Sequence, residues 1–156
     1  MSLTVRLAGA EDMPAAFALR HEVFVVGQGV PVELERDELD AGADHGVAYD
    51  GPRLLGTGRL VDGAIDTNGR HDPTAAGTVG TIGRMAVRAD ARGAGVGRAL
   101  LDLLVARAAE RGLPAVELHA QLHARAFYER AGFVPFGEVY VEAGIEHLGM
   151  RRELRA

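Results

Sequence analysis

The chain contains no cysteine. That excludes a disulfide framework, a thiolate nucleophile and a thiolate metal site. It also contains no lysine, since all 17 of its basic residues are arginine, so no side chain can form a Schiff base or serve a nucleotide P-loop. Abundant Ala, Arg and Gly point to genome composition as the source of that bias. Aromatic residues make up only 5% of the sequence, and no apolar run approaches the length of a membrane-spanning helix. The start of the chain shows no basic region followed by an apolar stretch. A chain with no secretory leader and no membrane span, resident in the cytoplasm, is expected. Basic surplus is missing too: the net charge is −5, and nothing resembles a nucleic-acid footprint. Six scattered histidines share no ligand spacing, so no metal site is expected.

The negative charge is concentrated. Glu33, Glu35, Asp37, Glu38, Asp40 and Asp44 face a single base, Arg36, while the rest of the chain is balanced. This segment has no sustained apolar periodicity and reads as a loop or a short irregular helix, serving either as an attractor for a cationic amine or as a solvated stretch whose acids touch no ligand.

With 156 residues the chain has the length of one domain with one core. Period-two alternation marks Leu3–Ala8 as a strand, and an amphipathic pattern marks Glu11–Val26 as a helix ended by Gly27 and Gly29. Two strands, His45–Tyr49 and Arg53–Val61, follow the acidic segment, joined through Asp50-Gly51-Pro52. Asp62–Gly77 reads as an exposed loop. Next come a strand at Thr78–Val87, a long helix from Gly95 to Gly112, a strand at Ala115–Ala120 and a helix at Leu122–Ala131. Two closing strands, Phe133–Glu142 and Glu146–Leu154, complete the chain. Three consecutive strands before the long helix argue against a purely doubly wound sheet and predict an α/β (α+β) fold with a mixed sheet.

The stretch Val79–Arg98 organises the rest. A β-branched strand leads through a glycine-rich turn straight into a helix, which places unsatisfied backbone N–H groups where a phosphate can bind. A P-loop is excluded by the missing lysine. A dinucleotide fingerprint would have an acid about 20 residues on, and Glu117 meets that, but the glycines stand at 93, 95 and 97 and Arg98 occupies the place of the third. The remaining match is Arg92-Gly93-Ala94-Gly95-Val96-Gly97, which has the R-x-x-G-x-G form of the pyrophosphate signature of the GNAT superfamily of N-acetyltransferases. Downstream, Gln121-Leu-His-Ala-Arg-Ala-Phe-Tyr-Glu-Arg-Ala-Gly-Phe133 resembles the second GNAT signature, with Gln121 in place of the usual asparagine. Arg20–Pro31, the Asp37, Asp40 and His45 spacing, Gly56–Leu60, Ile82–Val87 and Gly144–His147 extend the resemblance to the ElaA-like branch over nearly the whole chain.

The resemblance implies one GNAT-like domain over residues 1–156, with a mostly antiparallel sheet of six to seven strands flanked by helices and splayed between the fourth and fifth strands. It implies an acyl-CoA-dependent N-acyltransferase, most simply using acetyl-CoA, in which a primary amine of a small molecule or peptide attacks the thioester through a tetrahedral intermediate. A non-catalytic acyl-CoA-binding module on the same fold is the alternative. Main-chain groups of Met85, Ala86 and Val87 are implied to hold the pantetheine arm, and Arg92, Gly93, Ala94, Gly95, Val96, Gly97 and Arg98 the pyrophosphate. Gln121 and Phe127 stand on the same coenzyme side. Tyr128 is implied as proton donor to the leaving sulfur. For the base, His119 is one candidate, oriented by Glu117 on the same strand face or replaced by Glu117 acting through water, and His45 is another. Phe24, Gln28, Arg84 and His45 are candidate acceptor-side residues, with Arg84 suited to a substrate carboxylate. A homodimer through the closing strands is also implied by analogy.

Overall fold

The computed structural model describes residues 2–154. Among the described residues, nine strands and four α-helices are joined by single-turn 3-10 and π segments. The strands are β1 (Leu3–Leu7), β2 (Asp44–Asp50), β3 (Arg53–Asp62), β4 (Ala64–Ile65), β5 (His71–Asp72), β6 (Gly80–Val87), β7 (Ala115–Gln121), β8 (Val134–Glu142) and β9 (Ile145–Glu153). The helices are α1 (Met13–Arg20), α2 (Val32–Glu35), α3 (Val96–Glu110) and α4 (Arg125–Arg130). Seven strands form one sheet in the order β1-β2-β3-β6-β7-β9-β8, and β4 and β5 form a separate small hairpin. The β1–β2, β2–β3, β7–β9 and β9–β8 ladders are antiparallel, and β6–β7 is parallel. The expected mixed, mostly antiparallel sheet with flanking helices is the fold observed.

By contacts the chain divides into two compact units, Met1–Leu60 with Arg84–Ala106, and Val61–Gly83 with Arg107–Ala156. In the first, the sheet is floored with glycine where α3 crosses it. A Cβ on Gly56 would lie 2.8 Å from Val96 Cγ1 and 2.9 Å from Leu100 Cδ1. Only a bare backbone lets the start of α3 come this close to β3, and Val96, Leu100 and Leu104 are accordingly fully buried. The long predicted helix Glu11–Val26 is in fact a 3-10 turn at Ala10–Asp12, α1, and a π-helical turn at His21–Val26. Gly27 closes that turn, donating to Glu22 O at 3.0 Å, in a place where a Cβ would sit 2.5 Å from Val23 O. Such π turns cluster at functional sites.

In the second unit the odd positions of β7 form one sheet face and the even ones the other. Val116, Leu118 and Ala120 are buried, while Glu117, His119 and Gln121 are half-buried. Arg151, Gly149 and His147 on β9 stand directly beside those three odd positions. The expected loop Asp62–Gly77 instead carries β4, β5 and a 3-10 turn at Pro73–Ala75. Among the described residues no helix is long and apolar enough to cross a membrane.

Candidate active site

The glycine turn is built as its sequence predicts. Gly93 and Gly95 both adopt φ +83°, a conformation open to glycine at little cost. A Cβ at either would meet nothing within 4 Å, so the space over the turn is open. α3 begins at Val96 and runs for 15 residues, with its first turn bond donated by Ala99 N to Gly95 O at 3.0 Å. The N–H groups at that end have no intrahelical acceptor, and the helix dipole makes the turn attractive to an anion. Arg92 flanks it, while Arg98 is tied to Asp102 at 3.0 Å, one helical turn on. These residues fit a pyrophosphate-bearing ligand such as coenzyme A. β6 pairs with β7 only over Gly80–Ile82 and Val116–Leu118. Met85, Ala86 and Val87 therefore carry their main-chain groups beyond the end of that ladder.

Just past that end stands Arg84, with φ +52°. Left-handed backbone at a long, non-glycine side chain costs about 1–3 kcal/mol and must be held by its surroundings. Arg84 Nε donates to Glu35 O at 2.9 Å, and Nη2 to Leu34 O and Asp37 Oδ2, each at 3.3 Å. The acidic segment thus supplies the acceptors that hold the strained strand residue.

That segment takes the short irregular helical form, one of the two its sequence allows, and much of its charge is paired within the protein. It folds as α2 and a 3-10 turn at Glu38–Gly42, capped by Asp37, and three of its six acids turn inward. Glu35 is 3% exposed and binds Arg20 Nη2 at 2.6 Å, with Arg20 itself 1% exposed. Asp40 binds Arg20 Nη1 at 2.7 Å and Arg59 Nη1 at 2.9 Å. Asp37 binds Arg59 at 2.7 Å. Three carboxylates and three guanidinium groups, those of Arg20, Arg59 and Arg84, make one network, buried at Arg20, Arg59, Glu35 and Asp40 and half-buried at Asp37 and Arg84. Burial alone would raise the Asp40 pKa, but the Arg20 and Arg59 contacts overcome it and hold the group well below the ordinary carboxylate range. The Arg84 pKa is lowered too, by its own burial and by the like charges of Arg59 and Arg20, which for a base disfavours the charged form.

His45 lies against the same network. It is buried, and Nε2 donates to Asp40 O at 2.8 Å, which makes it a brace for the turn. Phe24, within the π turn, packs on the cluster of Ala16, Leu19 and Val23. Gln28 is half-buried just beyond it.

In the second unit, Tyr128 lies on α4, with its ring edge-on to Phe127 at 5.0 Å and to Phe133 at 6.0 Å. Its hydroxyl takes no partner among the described residues, and burial pushes its pKa up to about 12. The phenol stays protonated at neutral pH, as a proton donor must. Gln121 lies at the end of β7, beside His147 and within 2.8 Å of His123 Nε2.

His119 is not oriented by Glu117, which is taken by Arg151 at 2.7 Å. Its partners are ones the sequence reading missed. Nε2 lies 2.7 Å from Ile65 O on β4, and Nδ1 lies 2.7 Å from Tyr140 Oη on β8. The one sequence sign of the second partner is Gly137, at φ +73° beside a two-residue bulge in β8, but nothing local to it points to His119. Among the described residues no group of three or more His, Asp or Glu side chains could hold a metal.

The comparisons with known proteins decide the family. A family model described as an acetyltransferase (GNAT) domain matches residues 14–154. The chain belongs to the GNAT acetyltransferases. Among curated GNAT relatives, the uncharacterized N-acetyltransferase YjcF of Bacillus subtilis is 36% identical over 146 residues, covering 92% of this chain and 94% of that one. Protein ElaA of Escherichia coli is 32% identical over 142 residues, covering 90% of this chain and 86% of its own. Its crystal structure matches with a TM-score of 0.80 over 97% of this chain and all of that one, at 28% identity. An acyl-CoA N-acyltransferase from Pseudomonas aeruginosa matches with a TM-score of 0.78 at 35% identity, covering 97% of this chain and 98% of that one. The GNAT assignment is the one the two sequence signatures imply, the ElaA-like branch is the one implied by the further matching segments, and the chain is an acetyltransferase.

Proposed function

We propose that residues 1–156 form one acyltransferase domain that transfers an acyl group, most simply acetyl, from acyl-CoA to a primary amine of a small molecule or peptide by direct attack on the thioester. The observation that carries this is the turn at Arg92–Gly97, where two left-handed glycines face open space at the N-terminus of a 15-residue helix. The P. aeruginosa protein, an acyl-CoA N-acyltransferase, supports the same donor class.

In this reading Arg92, Gly93, Ala94, Gly95, Val96, Gly97 and Arg98 bind the pyrophosphate. Met85, Ala86 and Val87 pair with the pantetheine arm, and Gln121 and Phe127 complete the coenzyme side. Acyl-CoA supplies an activated thioester carbonyl. Tyr128 gives its phenolic proton to the departing sulfur, and a raised pKa with an unpartnered hydroxyl supports that role. His119 takes up the proton that the acceptor ammonium must lose. Phe24, Gln28, Arg84 and His45 belong to the acceptor side. Arg84 is the one with a chemical preference, for an amine that also carries a carboxylate: among the described residues its Nη1 has no partner, and its charge is only partly compensated. A homodimer through the closing strands belongs to the same reading.

Free-thiol release from acetyl-CoA with a panel of amines tests the proposal. Turnover on at least one amine is expected, with Tyr128→Phe lowering kcat about 10²-fold or more while acetyl-CoA still binds. Tight coenzyme binding with no turnover on any amine would refute it.

A further inference from the structure

His119 cannot reach an amine directly, because both of its ring nitrogens are occupied. Ile65 O is a carbonyl and can only accept, so at 2.7 Å the proton between them sits on His119 Nε2. That fixes the tautomer: Nδ1 carries the lone pair, and Tyr140 Oη–H donates to it at 2.7 Å. The ring has no free edge. Any proton bound for His119 must arrive through the Tyr140 oxygen.

The sheet register builds this pair deliberately enough to trace. His119 stands beside Gly149 on β9, where a Cβ would run into the Phe136 ring at 2.9 Å, so the bare backbone lets β8 lie close at this point. The next strand, β8, runs in register at Phe136 and Gly149, then jumps so that Tyr140 faces His147. Four steps along β8 against two along β9 leave two extra residues. That bulge re-aims the strand so that Tyr140 reaches across β9 to β7. The Tyr140 ring stacks on His147 at 5.7 Å and meets His119 edge-on at 5.9 Å, which holds it from both sides. His147 is itself tied down, with Nδ1 donating to Ile145 O at 2.7 Å. Glu117, the other titratable group on this face of β7, is engaged by Arg151. Glu142 bears on Tyr140 from further along β8, and with burial it raises the Tyr140 pKa, so a standing phenolate is disfavoured.

We propose that Tyr140 and His119 act as a single proton-accepting unit in the acyl transfer, with Tyr140 Oη meeting the acceptor amine and His119 Nδ1 storing the proton. The inference rests on the acyltransferase reading above. In the step, an N–H bond of the acceptor ammonium breaks and its proton passes to Tyr140 Oη. The proton already on Oη moves to His119 Nδ1, so the amine becomes neutral, Tyr140 stays neutral and His119 becomes imidazolium. The hydrogen bond survives with its direction reversed, Nδ1–H donating to Oη. After the amide forms, the stored proton returns to water by the same route, matching the one proton the overall reaction releases. Tyr140 is then a catalytic residue, and His119 is a positioning and storage residue that acts through it.

The test uses the full chain with acetyl-CoA and an accepted amine. Tyr140→Phe keeps the ring stack on His147 and removes only the oxygen. It is expected to lower kcat about 10²-fold or more, with KM for acetyl-CoA within twofold. His119→Asn should lose a similar factor, and the double variant should be no worse than the worse single, because the two act as one unit. Imidazole nitrogen NMR of the unliganded protein should show His119 as the Nε2–H tautomer with Nδ1 hydrogen-bonded in the wild type. Tyr140→Phe should lose the Nδ1 bond alone. Wild-type turnover beside an unimpaired Tyr140→Phe, single losses that multiply in the double variant, or an Nδ1–H tautomer would each overturn the relay and leave acyl transfer standing. A wild type that releases no thiol with any amine overturns the acyltransferase reading and the relay with it.

Discussion

Replacing Asp40 with asparagine probes the buried network that shapes the acidic segment. The Asp40 carboxylate accepts from Arg20 Nη1 at 2.7 Å, Arg20 Nη2 at 3.2 Å, Arg59 Nη1 at 2.9 Å and the Asp37 backbone N–H at 3.1 Å. Arg20 and Arg59 are 1% and 2% exposed, so water cannot take the place of the lost charge. At an effective dielectric constant of about 20, each close contact between unit charges is worth about 4 kcal/mol. Two such contacts go, a gross loss of about 8 kcal/mol by that measure, and the desolvation penalty of the carboxylate, several kcal/mol, is recovered. The net expectation is about 3–5 kcal/mol of lost stability, the range for breaking a buried pair from one side. At about 2–4 °C per kcal/mol for a chain of this size, the melting temperature should fall by roughly 10 °C. Urea denaturation, read as a midpoint shift at constant slope, measures the change directly. Glu33→Gln, an exposed acid of the same segment, is the control and should stay within about 0.5 kcal/mol. A loss below about 1 kcal/mol for Asp40→Asn would refute the network and return the segment to a solvated loop.

Acid should undo the same network and, separately, the Arg6–Asp12 ion pair at 2.8 Å. Asp12 is held below its ordinary pKa chiefly by the Arg6 hydrogen bond, and Asp37 and Asp40 are held down by Arg59 and Arg20 against the opposing effect of burial. Groups depressed in the folded state contribute stability above their unfolded pKa of about 3.9, and that contribution is lost as pH falls through the folded values. The urea midpoint should therefore hold from pH 6 to about 4.5 and drop below it, less steeply in Asp40→Asn, and a flat profile from pH 5 to 3 would contradict the shifts. At the turn, Gly95→Ala meets no neighbour but must sit at φ +83°. It should cost about 1–2 kcal/mol by thermal denaturation and raise KM for acetyl-CoA at least tenfold, whereas an unchanged KM would separate the turn from the coenzyme.

Legibility in the sequence followed the range of the interactions. The glycine turn was readable because its parts are contiguous: a strand, left-handed glycines and a helix start within twenty residues. Tyr128 was readable for the same reason, as part of one helical signature. His119 was found as a residue, but its surroundings were not. Its partners Ile65 and Tyr140 lie 54 and 21 residues away. Ile65 sits in a stretch whose Gly, Asp and Asn content reads as loop. Arg84 was singled out from the sequence, but its partners belong to the acidic segment nearly fifty residues earlier. The inward turn of Glu35, Asp37 and Asp40 was hidden for a related reason: residue type gives their charge, whereas burial depends on Arg20 and Arg59 arriving from a helix and a strand elsewhere in the chain. The π turn escaped because its apolar spacing hardly differs from that of an α-helix over six residues.

By itself, the order of residues determined the family, the order of the major elements and the glycine turn at the start of α3, since each depends on local periodicity or on backbone freedom at particular glycines. It also excluded thiol and lysine chemistry outright. Tertiary structure alone decided which acids are spent inside the protein, which carbonyl sets the His119 tautomer and which phenol stands at its other nitrogen. Those are questions of register and close approach between distant segments, where one bulge in β8 determines which phenol meets His119.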